Sequence, residues 1–221
     1  MKALQHPEEL ARFLELVRTE AVTTYLEIGC KFGGTFTAVT RAMPKGSRAV
    51  AVDLPAGSPH WPQSKVSLTA CVEQLRKVGY DTHLIWGDST DKEVIEKVRQ
   101  LGPFDLVLID GGHTLPFVTS DWMHYGPLAK LVAFHDISWH RPADWNGEYW
   151  IDVPGFWQRI KTGYRYREIK LDPTGQDNGI GIIWRKEKRY AQQEQVASQD
   201  HEGGEARQEV RQEDGHSAEC S

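Results

Sequence analysis

The feature that most constrains this chain is Tyr25–Thr35, YLEIGCKFGGT, an apolar run that ends in an acid and then breaks into glycines. Beta-branched and aromatic residues at Val22, Thr23, Thr24, Tyr25, Leu26 and Ile28 suit a buried parallel strand, and Gly29, Gly33 and Gly34 punctuate its end. Strand, glycine loop and helix in that order make a turn that can cradle a nucleotide. Glycine has no Cβ, so the backbone can take positive φ and admit a ligand closely. The free N–H groups of the following helix, predicted over Thr35–Met43, favour polar or anionic groups. A dinucleotide fingerprint, G-x-G-x-x-G, would place a glycine two residues after the first, where Lys31 stands instead.

The 221 residues are 39% hydrophobic, enough for one α/β domain with a sizeable core. No apolar run approaches the ~18 residues that would span a bilayer. The start, MKALQHPEEL, carries acids where a signal peptide needs an apolar core. The three cysteines, Cys30, Cys71 and Cys220, are odd in number and lack metal-ligand spacing, which argues against a disulfide framework and fits a reducing cytoplasm. Cys30 reads as a small loop residue rather than a nucleophile.

The formal charge of −5 divides unevenly. Residues 190–221 carry eight acids against two arginines, so residues 1–189 are nearly neutral. That tail has two valines, no Trp or Phe, and abundant Gln, Glu and Gly. It is expected to stay disordered, because it cannot bury enough apolar surface to offset its ordering entropy. The body shows no basic face, so nothing in it would draw nucleic acid non-specifically.

Residues 7–20 place Leu10, Phe13, Leu14 and Val17 on one face at helical spacing, predicting an amphipathic helix over the cofactor end of the sheet or on its edge. Strands follow at Arg48–Leu54, His83–Trp86, Pro103–Asp110 and Lys130–Phe134, with helices over Lys65–Val78, Asp91–Leu101 and Pro116–Tyr125 between them. Asp53 closes the second strand about 20 residues beyond the glycines, where α/β nucleotide folds put the carboxylate that meets ribose hydroxyls. The loop after it brings His60 and Trp61, which could reach over a ligand. The third strand runs into Gly87-Asp88-Ser89, and S-T-D-K-E behind it also supports a helix cap. Asp110 and His113 close the fourth strand, and His135-Asp136 the fifth. A Trp-rich stretch over 138–153 then reads as a substrate lid with an aromatic wall, the alternative being a satellite core. A short helix over Pro154–Thr162 and two strands, Tyr164–Leu171 and Gly179–Trp184, end the fold.

The pattern E-x-G-x-x-x-G-G, with G-D-S after the third strand and D-L-V-L-I-D-G-G-H at the fourth, resembles class I S-adenosylmethionine-dependent methyltransferases over residues 20–185. The resemblance implies a Rossmann-like α/β fold: a seven-stranded, mostly parallel sheet with helices on both faces and a C-terminal antiparallel hairpin. It implies that Glu27, Gly29, Gly33, Asp53, Asp88, Ser89 and Asp110 bind S-adenosyl-L-methionine, Glu27 through the ammonium group. The chain is most similar to small metal-dependent O-methyltransferases of the group that includes rhamnosyl O-methyltransferases and cephalosporin-hydroxylase-like proteins. It departs from them in having His135 where a carboxylate is expected.

Methyl transfer to oxygen needs sulfur, carbon and oxygen in line and a way to make a hydroxyl nucleophilic. A divalent cation, Mg or Mn, held by Asp110, His135 and Asp136 would supply that, with His113 or His135 as the alternative base. The expected acceptor is a small-molecule or sugar hydroxyl, in a cytoplasmic protein with homo-oligomer formation left open. Two other classes remain at this stage. One is an NAD-dependent oxidoreductase or epimerase, which Lys31 and the lack of a Tyr-x-x-x-Lys motif disfavour. The other is a non-catalytic binding protein of methyltransferase fold, which the acids at four strand ends disfavour. Truncation after Arg189 is expected to leave melting temperature and methyl transfer nearly unchanged, and a cooperative loss of several degrees would show that the tail docks.

Overall fold

In the computed structural model, residues 5–55, 64–138, 151–171 and 178–188 are described. The helix α1 (Pro7–Thr19) leads into β1 (Thr24–Ile28), whose last four residues are buried and whose side chains enter cores on both sides of the sheet. Such two-sided burial requires a central parallel strand covered on each face, which is why this segment carries an unbroken apolar run. Then come α2 (Gly34–Ala42), β2 (Arg48–Asp53), α3 (Ser64–Lys77), β3 (Asp81–Trp86), α4 (Lys92–Leu101), β4 (Phe104–Ile109), α5 (Leu115–Tyr125), β5 (Ala129–His135), α6 (Val153–Ile160), β6 (Tyr164–Ile169) and β7 (Ile180–Lys188). The expected elements are all present. β3 starts two residues earlier than its apolar run, and β7 continues past Trp184 into charged residues.

The strands form one seven-stranded sheet in the order β3-β2-β1-β4-β5-β7-β6. β1 to β5 are parallel, and β7 joins β5 and β6 antiparallel. The chain winds outward from β1 to β3 and restarts at β4 beside β1, so a topological switch opens at the carboxyl ends of β1 and β4. α1, α2 and α3 pack on one face around Phe13, Tyr25, Phe36 and Leu68, and α4, α5 and α6 on the other around Val98, Tyr125, Phe134 and Trp157. In α1 the inward residues are Phe13, Leu16 and Val17 together with Glu9, whereas Leu10 and Leu14 are only half-buried.

Opposite the switch, Asp105 ties three strands together. Its Oδ2 accepts from the Thr23 amide at 2.9 Å, the Thr23 hydroxyl at 2.8 Å and the Thr24 amide at 3.1 Å, and Lys130 Nζ donates to Oδ1 at 2.6 Å. Burial would raise this carboxyl, but Lys130 and the threonine donors outweigh it and hold it down to about 2.

The β5-β7-β6 end is closed by Trp157, fully buried, with Nε1 donating to Glu168 Oε1 at 2.6 Å. Its ring lies flat enough on β7 that a Cβ at Gly181 would come within 2.7 Å of it. Trp157→Ala is expected to cost about 3–5 kcal/mol through the cavity left beside Phe134 and Tyr166. Chemical denaturation checks this, and a loss under ~1 kcal/mol would mean the site collapses freely.

Candidate active site

The carboxyl ends of β1, β2, β4 and β5 bring Glu27, Asp53, Asp110 and Asp136 to one rim. The tightest constraint there is steric. Gly29 has φ 83°, and a Cβ built on it would lie 2.2 Å from the Asp110 carbonyl oxygen. Gly29 is therefore required by the close approach of the β1 and β4 ends. Gly33, with φ 78°, caps α2, and its missing Cβ faces Cys71 and Leu68 of α3 at 3.0 and 3.1 Å. Its direct surroundings are thus the helix behind the loop, so a side chain there would also disturb α3.

Asp53 is engaged with the glycine loop. Its Oδ2 accepts from the amides of Cys30 at 2.9 Å and Lys31 at 2.6 Å, and Oδ1 from Leu54 at 2.7 Å. Oδ2 is filled by the two loop amides, and Oδ1 retains a lone pair for a ribose hydroxyl. Lys31 itself takes φ 50°, so the loop turns through a conformation seldom used by residues with a side chain. Glu27 is buried and accepts from the Tyr25 hydroxyl at 2.5 Å. Burial pushes its carboxyl well up, although that hydroxyl opposes the shift. Asp88 Oδ1 accepts from the amide and hydroxyl of Thr90, closing an Asx turn, while Asp91 takes the cap position of α4 without a side-chain bond. Ser89 offers its carbonyl to the Tyr125 hydroxyl at 2.6 Å.

The chemistry-bearing cluster lies at the ends of β4 and β5. His113 Nε2 stands 2.8 Å from Asp136 Oδ2 and 3.6 Å from Asp110 Oδ1. His135 Nδ1 stands 3.3 Å from Asp110 Oδ1 and 3.2 Å from Asp136 Oδ1, while its buried Nε2 makes no hydrogen bond within the described chain. Asp136 adopts φ 61°, a left-handed conformation that Asp tolerates better than most residues and that follows directly on the end of β5.

Burial opposes charge on both histidines, but Asp110 and Asp136 outweigh it, raising His113 to about 10 and His135 well above its ordinary value. Burial likewise opposes charge on the two carboxyls, and the histidines outweigh it and hold both low. As it stands the cluster is a set of ion pairs.

Ligand atoms of Asp110, His113 and Asp136 all lie within 4.8 Å of one another. A shared ion with bonds of ~2.1–2.5 Å closes that spread with small side-chain shifts. The residues therefore fit a divalent cation, and His135, which the sequence suggested as a ligand, stands 3.3 and 3.2 Å from the same two carboxylates.

Of the expected lid, residues 139–150 lie outside the described residues, as do His60, Trp61 and the tail over 190–221. Both ends of 139–150 adjoin the cluster. Ser138 follows Asp136 by two residues, and Asp152 donates its amide to the His113 carbonyl at 2.8 Å while its Oδ2 accepts from Leu115 at 2.8 Å.

A methyltransferase domain model matches residues 26–137, about half the chain, and this chain belongs to that family. Its sheet is that of the class I methyltransferases. Among solved structures it is similar to the O-methyltransferase TomG from Streptomyces achromogenes, involved in tomaymycin synthesis and solved with SAM, at 16% identity and TM-score 0.58 over 82% of this chain and 81% of that chain. It is also similar to an O-methyltransferase from Bacillus cereus in complex with SAH, at 14% identity and TM-score 0.58 over 81% of each chain. At these identities the likeness concerns the fold. No curated protein matches by sequence.

Two polar residues of the site escaped the sequence reading. Gln5 donates from Nε2 to Asp110 Oδ2 at 3.1 Å, and no local pattern before α1 announces it. Asp121 could have been found, as an acid on the apolar face of α5 between Val118, Trp122 and Tyr125. Neither Asp121 oxygen has an aligned hydrogen bond. Burial pushes its carboxyl up to about 6, with the nearby Ser89 hydroxyl giving only partial relief.

A raised carboxyl is neutral at low pH and costs stability once the unfolded chain ionises. Asp121→Asn should therefore match the wild type near pH 4 and gain on it as pH rises through about 6, by up to ~3 kcal/mol above that. Denaturation midpoints across this range test it, and a gap independent of pH would show that Asp121 is stably charged or paired.

Proposed function

We propose that this methyltransferase transfers the methyl group of S-adenosylmethionine to a hydroxyl oxygen of a small molecule or sugar, with a divalent cation held by Asp110, Asp136 and His113. The observation that carries the reading is the convergence of that ligand set at the β4 and β5 ends, one strand away from the glycine loop. TomG and the Bacillus cereus enzyme, which share the fold, are O-methyltransferases solved with SAM and SAH.

Charge favours this cofactor. Glu27 and Asp53 put carboxyl groups on the glycine-loop side of the rim, and a cationic ammonium beside Glu27 would itself favour that carboxyl's charged form. Thr35 and the α2 amides lie beside it, where a carboxylate is favoured at a helix N-terminus. Asp53 lies at the β2 end, one strand further out, where ribose hydroxyls would be met.

The acceptor side follows from the protonation of the cluster. While His113 holds its proton between two carboxylates it is no base, so the chain alone has little to draw a hydroxyl proton away near neutral pH. A divalent cation held by Asp110, Asp136 and His113 would supply the positive charge that offsets the two carboxylates and would make an acceptor hydroxyl more acidic. His135, bridging both carboxylates through Nδ1, keeps their geometry, and the proton released from the acceptor passes to solvent. The Trp-rich sequence between Ser138 and Asp152, with Trp139, Trp145 and Trp150, supplies the aromatic residues expected of a lid over the acceptor.

Asp136→Asn preserves size and removes a charge, so cation binding is expected to weaken while affinity for S-adenosylhomocysteine stays close to wild type. Methyl transfer should fall together in this variant and in EDTA-treated wild type, with excess Mn²⁺ partly restoring the variant. The measurement is methyl gain by intact mass over a panel of glycosides and phenols. Undiminished transfer by thoroughly chelated enzyme would sink the cation role and leave a histidine as base, whereas calorimetric binding of NAD but not S-adenosylhomocysteine would sink the cofactor assignment.

A further inference from the structure

Gln5 stands one residue before the cap of α1 and is only 8% exposed. It comes from the far end of the chain, 105 residues from Asp110. Its position is fixed by a firmly seated helix. His6 Nδ1 accepts the Glu8 amide at 3.3 Å at the start of α1, Phe13, Leu16 and Val17 are buried, and Glu9 Oε1 accepts the Gly179 amide at 3.0 Å.

The two ends of the Gln5 carboxamide have different partners. Nε2 donates to Asp110 Oδ2 at 3.1 Å, and the Thr35 hydroxyl, in the first turn of α2, donates to Oε1. Asp110 Oδ1, the remaining oxygen, faces His113 at 3.6 Å and His135 at 3.3 Å. A carboxylate has a soft terminal torsion, so its plane is set by what its oxygens bond to. A donor fixed on one oxygen points the other into the ligand set.

We propose that Gln5 is a positioning residue for the cation site: by holding Asp110 Oδ2, itself braced by Thr35, it directs Asp110 Oδ1 toward His113 and Asp136. This rests on the reading of Asp110, His113 and Asp136 as cation ligands. Partners that orient a metal ligand are typically worth 10–100-fold in metal affinity. Thr35 acts only through Gln5, so its contribution vanishes when the carboxamide is gone.

The test is Mn²⁺ titration of the full chain without cofactor, followed by calorimetry and by the EPR signal of free Mn²⁺. The proteins are wild type, Gln5→Ala, Gln5→Met, Thr35→Val and the Gln5→Ala/Thr35→Val double variant. Gln5→Met keeps the length and packing of the side chain without its donor, so it reports on the hydrogen bond even where Gln5→Ala disturbs folding. Both Gln5 variants are expected to bind Mn²⁺ about ten-fold more weakly or worse. Thr35→Val should lose less, and nothing further in the Gln5→Ala background. Mn²⁺ affinity of Gln5→Met within about two-fold of wild type, or additive losses in the double variant, would overturn the positioning role alone. A wild type that takes up no Mn²⁺ would overturn the cation site and this role with it.

Discussion

The site depends on how closely the ends of β1 and β4 approach. With 2.2 Å between the Asp110 carbonyl and a Cβ built on Gly29, the two strand ends admit nothing but backbone. That contact sets where the glycine loop begins and where Asp110 emerges. The Gly29 amide bonds to the Val52 carbonyl at 2.9 Å and the Asp110 amide to the Ile28 carbonyl at 2.9 Å, so the ladder runs through the rim with no gap before the loops diverge. A bulkier residue at position 29 would separate the loop from the acid that the proposed chemistry needs beside it.

Once the strand ends are fixed, charge becomes the governing problem. Parallel strands whose carboxyl ends carry Glu27, Asp53, Asp110 and Asp136 gather acids that repel one another in a partly desolvated place. The chain answers in three ways. Glu27 is buried with its carboxyl shifted toward the neutral form. Asp53 spends itself on loop amides. Asp110 and Asp136 draw protons onto His113 and His135. The last of these would be exchangeable for the proposed divalent cation, which would offer the two carboxylates the same compensation from one centre.

Much of this was legible in order and kind. The parallel strands announced themselves as apolar runs, and each run ended in the acid that reaches the rim, because strand direction and sheet parallelism leave no other end for it. The part that His113 plays beside the acids was harder to read. His135 adjoins Asp136 in sequence and is 3.2 Å from its Oδ1, while Asp136, turning through positive φ immediately after β5, also meets His113 from the neighbouring strand end at 2.8 Å, so both histidines share the acids. A backbone reversal of one residue is invisible to periodicity. Gln5 was illegible for a different reason. Its contact spans nearly half the chain, and nothing local distinguishes it from a solvent-exposed residue ahead of a helix.

The same long-range fastening recurs wherever the rim meets a loop, and it divides the site by stiffness. On the cofactor side, the glycine loop is held at Asp53 and at the α3 face behind Gly33, and Gln5 joins its helix to Asp110. On the acceptor side, Asp152 pins the His113 backbone and the start of α5. Both sets of anchors lie within a few residues of the acids and histidines at the rim. Such an arrangement holds the glycine loop and the rim carboxylates nearly rigid against each other, which the in-line transfer proposed for this site demands.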